Sequence, residues 1–213
     1  MGLFHVATVA PSKLEMVAGW IPTQPWGPST DAVVEMIGAF RFDDPLGQVG
    51  METLLVRAEG ATFQVPLTYR SEPLVGADDA SIAETEHSVL GTRWVYDGLR
   101  DPLFVTMLAA VAMTGQGEAL GMVERDGRWH IAPTNVRLSG GGWSIERVPV
   151  DGFDVFEDHS ERVVLRNDRF SMTAFRRPVT APSPSIGLTA TWPEQLEPIL
   201  LAEVSEVVLG GPW

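Results

Sequence analysis

The chain has 213 residues, 45% of them hydrophobic, and a formal net charge of −13: enough apolar content for a substantial buried core, and the wrong sign for gripping a phosphate backbone. It has no cysteine, which excludes a disulfide framework, a thiolate metal site and a cysteine nucleophile. No basic leader followed by an apolar run opens the sequence, and no stretch approaches the roughly 18 apolar residues of a spanning helix, so a soluble cytoplasmic protein with neither nucleic-acid nor membrane partner is expected.

Residues 3–9 read as a short strand. Ser12 and Glu15 have capping-box spacing and open a helix whose apolar face is Leu14, Val17, Ala18 and Ile21, stopped by Pro22 and Pro25. After a Pro/Gly loop around Trp26, residues 33–42, 49–58 and 62–69 read as an antiparallel meander, with turns at Asp43-Asp44-Pro45-Leu46-Gly47 and Glu59-Gly60. Pro66 has no amide to give to a ladder and is expected at an edge or a bulge. Residues 84–96 read as one long strand bent at Gly91. Asp101-Pro102 then caps and opens a helix with Leu103, Phe104, Met107, Leu108 and Val111 buried, ending at Gly115.

Small and polar residues up to Gly121 place a boundary near residue 120, dividing the chain into units of residues 1–120 and 121–213. The second unit reads as almost wholly β, its turns at Gly127, Gly140-Gly141-Gly142, Asp151-Gly152, Asn167-Asp168 and Pro182 to Pro184, its last strands at 188–192 and 199–208. The expected fold class is α+β.

Few residues carry a chemical signal. In a strand Glu84 and Glu86 share one face while His87 points to the other, so a metal cluster there is disfavoured. Asp43-Asp44 and Asp78-Asp79 sit in turn contexts, and Gly140-Gly141-Gly142 precedes a strand and reads as a hairpin rather than a phosphate loop. No serine stands in a Gly-x-Ser-x-Gly elbow. The seven tryptophans read as core packing ahead of a sugar-stacking platform, with Trp26 and Trp213 expected to be exposed. His87, Arg93, Trp94, Tyr96 and Asp97, with Trp26, compose a possible interaction surface; a structural pairing of Arg93 with Asp97 is the equal alternative.

The run from Glu86 to Gly98, followed by Asp101-Pro102, resembles the N-terminal cap domain of maltokinases and related aminosugar kinases. Pro11-Ser12-Lys13-Leu14, the Pro22 to Trp26 segment and Phe40 to Pro45 extend the resemblance over roughly residues 3 to 115. It implies a cystatin-like cap, a curved antiparallel sheet with packed helices, followed by a mostly β half like a kinase small lobe. Phe170 to Pro178 resembles that lobe's lysine strand, with Thr173 where the lysine would stand. The phosphate loop would fall at Glu157 to Arg162, where Asp158 and Glu161 replace small polar residues and repel phosphate. The lysine's glutamate partner would fall at Gly187, and the chain's one lysine, Lys13, lies far away.

The stretch after Arg177 is too short for a large lobe carrying the catalytic base and the magnesium-holding aspartate. The resemblance therefore implies a kinase relative that transfers no phosphate, takes no cofactor or metal, and acts by binding. The expected partner is a maltokinase or another α-glucan or trehalose pathway enzyme. The alternative is a small sugar or glucan fragment held by the cap sheet without turnover. An enzyme using the acids of the second half finds no support in their spacing.

Overall fold

The computed structural model describes residues 3–4, 8–132, 134–144, 147–180 and 186–207. The readings made for Trp213, for the Pro182 to Pro184 turn and for the middle of the first strand lie outside the described residues. In chain order the strands of the first half are β1 (Leu3–Phe4), β2 (Val9–Ala10), β3 (Glu35–Phe42), β4 (Gly50–Ala58), β5 (Ala61–Arg70), β6 (Ser81–His87) and β7 (Gly91–Asp97), with helices α1 (Lys13–Trp20) and α2 (Pro102–Thr114). There follow β8 (Met122–Arg125), β9 (Arg128–Ile131), β10 (Arg137–Gly140), β11 (Asp154–Asp158), β12 (Arg162–Arg166), β13 (Phe170–Val179), β14 (Gly187–Trp192) and β15 (Gln195–Glu206).

Both helix starts form as their spacing predicts. Ser12 Oγ accepts from the Glu15 amide at 3.3 Å while Glu15 Oε2 accepts from the Ser12 amide at 2.7 Å, closing the capping box of α1. Asp101 Oδ1 accepts from the Leu103 amide at 3.0 Å at the head of α2, and Gly115 ends that helix at φ 67°.

The first sheet is antiparallel, in the order β2-β6-β7-β5-β4-β3. Its central strands β4 and β5 are buried on both faces, because α1, Trp26 and Ile21 cover Leu54, Val56, Phe63, Val65 and Leu67 while α2 lies on the side of Met51 and Leu55. The second sheet runs β10-β14-β15-β13-β12-β11, and a small third sheet joins β1, β8 and β9. One core cluster takes in Phe40, Phe42 and Met51 of the first sheet, the apolar length of α2, and Leu165, Met172, Ala174 and Leu201 of the second. Helix α2 therefore has apolar neighbours on more than one side, which is why Val105, Ala109 and Ala112 are buried beyond the single stripe expected.

Four expectations need correction. Residues 84–96 are not one bent strand but the hairpin β6–β7, Gly91 standing at φ 72° where the return strand begins. Pro66 lies in an interior strand, paired with Thr53, yet it escapes the proline rule because β7 leaves the sheet after the Asp97–Leu67 pair. The Gly140-Gly141-Gly142 run is not a hairpin: it passes the end of α2, Gly142 and Ser144 donating amides to the otherwise orphaned carbonyls of Ala112 and Met113. Trp26 is buried, packing edge-on to Trp20 at 5.5 Å and beside Phe63, since its loop folds back over the end of α1.

Candidate functional site

The four positions singled out by the resemblance are spread across the second sheet, from β14 to the β11–β12 turn. Thr173 in β13 and Gly187 in β14 both pair with Glu203 of the intervening β15. Asp158 closes β11 one cross-strand row away, since it pairs with Val163, which pairs with Ala174. Glu161 is exposed in the β11–β12 turn, and its carbonyl accepts the amides of Arg176 at 2.7 Å and Arg177 at 3.2 Å. Asp158 Oδ2 accepts from Arg100 Nη2 at 2.7 Å.

The residues grouped as an interaction surface separate by face and depth. Trp26, Tyr96 and Asp97 are buried; the Tyr96 hydroxyl accepts from the Leu74 amide at 2.9 Å. Trp94 is half-buried against the small cluster of Ala77, Ala80 and Tyr96. His87 Nδ1 accepts from the amides of Val89 at 3.2 Å and Leu90 at 3.1 Å, closing the β6–β7 turn. Arg93 donates to the Thr92 carbonyl at 3.0 Å, while Asp97 takes Arg176 from β13 in place of the expected Arg93. An arginine distant in sequence won that contest, which local spacing had no means of showing.

The segment Asp97-Gly98-Leu99-Arg100-Asp101 collects the ion pairs that tie the elements together. Arg176 Nη1 donates to Asp97 Oδ1 at 2.9 Å and its Nη2 to Oδ2, with the guanidinium over the Trp26 ring. Arg70 makes a bidentate pair with Asp101, both bonds 2.7 Å. Each aspartate also caps a helical turn, Asp97 through Leu99 and Asp101 through Leu103. Gln64 adds a bridge, its Nε2 donating to the carbonyls of Phe175 at 3.1 Å and Leu201 at 3.3 Å, where a bulge parts β13 from β15.

A cleft of about 320 Å³ runs along the outer edge of β3. Residues 118–121 with Ala132, Thr134 and Asn135 wall it, tied to β3 by the Ala119 amide on Arg41 O at 2.8 Å, Thr134 Oγ1 on Ala39 O at 2.7 Å and Asn135 Nδ2 on Ile37 O at 2.8 Å. Arg41 and Glu52, cross-strand partners, line its inner end; Glu52 also accepts from Lys13 Nζ at 2.6 Å and from the Tyr69 hydroxyl at 3.4 Å. Burial, together with the neighbouring Glu52 carboxylate, pushes the Tyr69 hydroxyl well above its usual pKa. Burial acts to raise Glu118 as well, but hydrogen bonds from the Leu138 amide and Arg137 outweigh it and hold that carboxyl below the ordinary range. No contiguous motif announces this cleft, because its lining comes from segments far apart in the chain.

The core-packing reading of the tryptophans fails at Trp129 and Trp143, which are exposed. Trp129 and Ile131 project from β9, whose four residues are all exposed, and Trp143 stands 88% exposed beside the glycine run.

Among the described residues no helix is long and apolar enough to cross a membrane. No curated protein matches the chain. The maltokinase N-terminal cap domain family matches residues 20–101, a narrower span than roughly residues 3 to 115. The match runs from the last residue of α1, through β3 to β7, to the aspartate that caps α2. Over residues 20–101 the chain is thus similar to the maltokinase N-terminal cap domain.

Proposed function

We propose that this chain is a non-catalytic, kinase-related binding module of maltose, trehalose and α-glucan metabolism, whose partner is a maltokinase or another enzyme of that pathway. It consists of a cystatin-like cap, residues 1–120, joined to a small-lobe-like sheet, residues 121–213. The metabolic link rests on the cap match at residues 20–101. The observation that carries the non-catalytic reading is the ion pair of Asp158 with Arg100. Asp158 stands where the resemblance puts the phosphate loop, and its carboxylate is engaged by Arg100, tying the second sheet to the cap-matching segment.

Exposed Trp129 and Ile131 on the β8–β9 hairpin supply apolar groups of the kind found at the centre of protein interfaces. The test is biolayer interferometry of the purified chain against a purified maltokinase, paired with a thermal-shift titration in Mg-ATP. The expected result is saturable enzyme binding, lost in a Trp129→Ser/Ile131→Ser variant, with no change of Tm in nucleotide. A rise of Tm with Mg-ATP, or catalytic turnover of a sugar and ATP, overturns the reading.

A further inference from the structure

The cleft beside β3 has an unusual charge balance for so acidic a chain. Three carboxylates line it, those of Asp43, Glu52 and Glu118. Three cations stand with them: Arg41 in the lining, Lys13 on Glu52 and Arg137 on Glu118. In a molecule of net charge −13, this is a neutral enclosure studded with fixed donors and acceptors. An anion meets the carboxylates and a cation meets the guanidinium, and neither gains enough to offset its lost hydration. A ligand of many hydroxyls, each both donor and acceptor, can engage both kinds of group without bringing a charge of its own.

The rim has a second property. Met36, 51% exposed, and Leu120, 59% exposed, lie at the lip with the small side chains of Ala39, Ala119 and Ala132. Apolar groups beside convergent polar ones suit a ligand that alternates C–H faces with hydroxyls. At about 320 Å³ the cleft stands at the lower end of the ligand-pocket range of about 300–1,000 Å³, which limits the occupant to one or two sugar rings.

We infer that the cleft between β3 and the wall of residues 118–121, Ala132, Thr134 and Asn135 binds a neutral mono- or disaccharide. This site is separate from the β8–β9 surface invoked for enzyme binding, so either reading can fail alone. The experiment is isothermal titration calorimetry of the whole chain with glucose, maltose and trehalose, and with glucose 6-phosphate and putrescine as charged comparators. The expected result is measurable heat with at least one neutral sugar and none with either charged compound. Ala39→Leu, which enlarges a small lining side chain, weakens that binding by about tenfold or more, and Leu120→Ser, at an exposed position, weakens it several-fold with Tm unchanged. If Ala39→Leu fails to fold, Leu120→Ser and its Tm carry the test. The assignment is overturned if no neutral sugar binds at millimolar concentration, if a charged comparator binds more tightly, or if the folded variants bind like the parent chain.

Discussion

Arg176 and Asp97 stand 79 residues apart and meet as a two-bond ion pair with both side chains almost wholly withdrawn from solvent. The pair fastens β13 to the end of β7, and the Trp26 ring lies 4.6 Å from the guanidinium carbon. Removing one partner strands the other charge in a low-dielectric site. Asp97→Ala is expected to cost about 3–5 kcal/mol in urea unfolding, whereas the double variant Asp97→Leu/Arg176→Met recovers most of that loss. Similar losses for the single and double variants would mean that the packing around the pair, and not its charge, carries the joint.

Arg100 and Asp158 make the weaker joint. Each side chain is about one-third exposed, so water screens the pair and Arg100→Ala is expected to cost only about 0–1 kcal/mol. Arg70→Ala at the neighbouring Asp101 removes a bidentate partner from a carboxylate with no solvent exposure, and about 3 kcal/mol is expected there. Chemical denaturation of the two variants side by side checks the order.

The glycine run beside α2 is set by space. A Cβ on Gly140 would lie 2.2 Å from the Val111 carbonyl oxygen, and one on Gly142 would lie 2.6 Å from Met113 backbone atoms. Neither neighbour can step aside without unwinding the last turn of α2. Gly140→Ala and Gly142→Ala are each expected to lower stability by at least about 1–3 kcal/mol, read by thermal melting. Gly19→Ala is the useful comparison, since a Cβ there would meet nothing within 4 Å.

What the sequence discloses is mostly local. The Ser12–Glu15 box, the Asp101-Pro102 start and the Glu59-Gly60 turn depend on neighbours within a few residues, and each forms as read; Glu59 and Gly60 both take positive φ, as a tight hairpin requires. Trp26 was misjudged because its burial depends on Phe63 and Arg176, which reach it only through the tertiary fold. A lone glycine such as Gly91 suits a bend or a hairpin equally, and only the pairing of β6 with β7 decides. Register sets Thr173 and Gly187 on either side of Glu203, a placement the resemblance alone could not give. The cleft left no trace in the sequence, since each lining segment reads by itself as an ordinary strand end or loop.

At low pH the depressed carboxylates matter. Burial alone would raise Asp44, but the amides of Leu46, Gln48 and Val49 hold it below its usual range, and Glu118 is likewise depressed. A depressed folded pKa contributes stability that is present above the unfolded pKa and is lost as pH falls through the folded one. Stability is therefore expected to decline below about pH 4. Asp44→Asn should flatten the acid limb of a pH-dependent melt, at some cost in stability near neutrality.

Tyr69 governs the opposite limb. Partly buried against the apolar cluster under α1, and bonded to Glu52, Tyr69 has a hydroxyl with a folded pKa well above the unfolded value, so the folded state resists losing that proton. The stability it contributes is fully present below the unfolded pKa of about 10 and drains away as pH rises from there toward the folded value, because the unfolded chain ionises first. Melting temperature is accordingly expected to fall steeply above about pH 10. Tyr69→Phe keeps the ring, leaves Glu52 paired with Lys13, and removes the titrating group, so its alkaline limb should be shallower while its acid limb stays unchanged. An equally steep alkaline limb in Tyr69→Phe would assign the loss to another group.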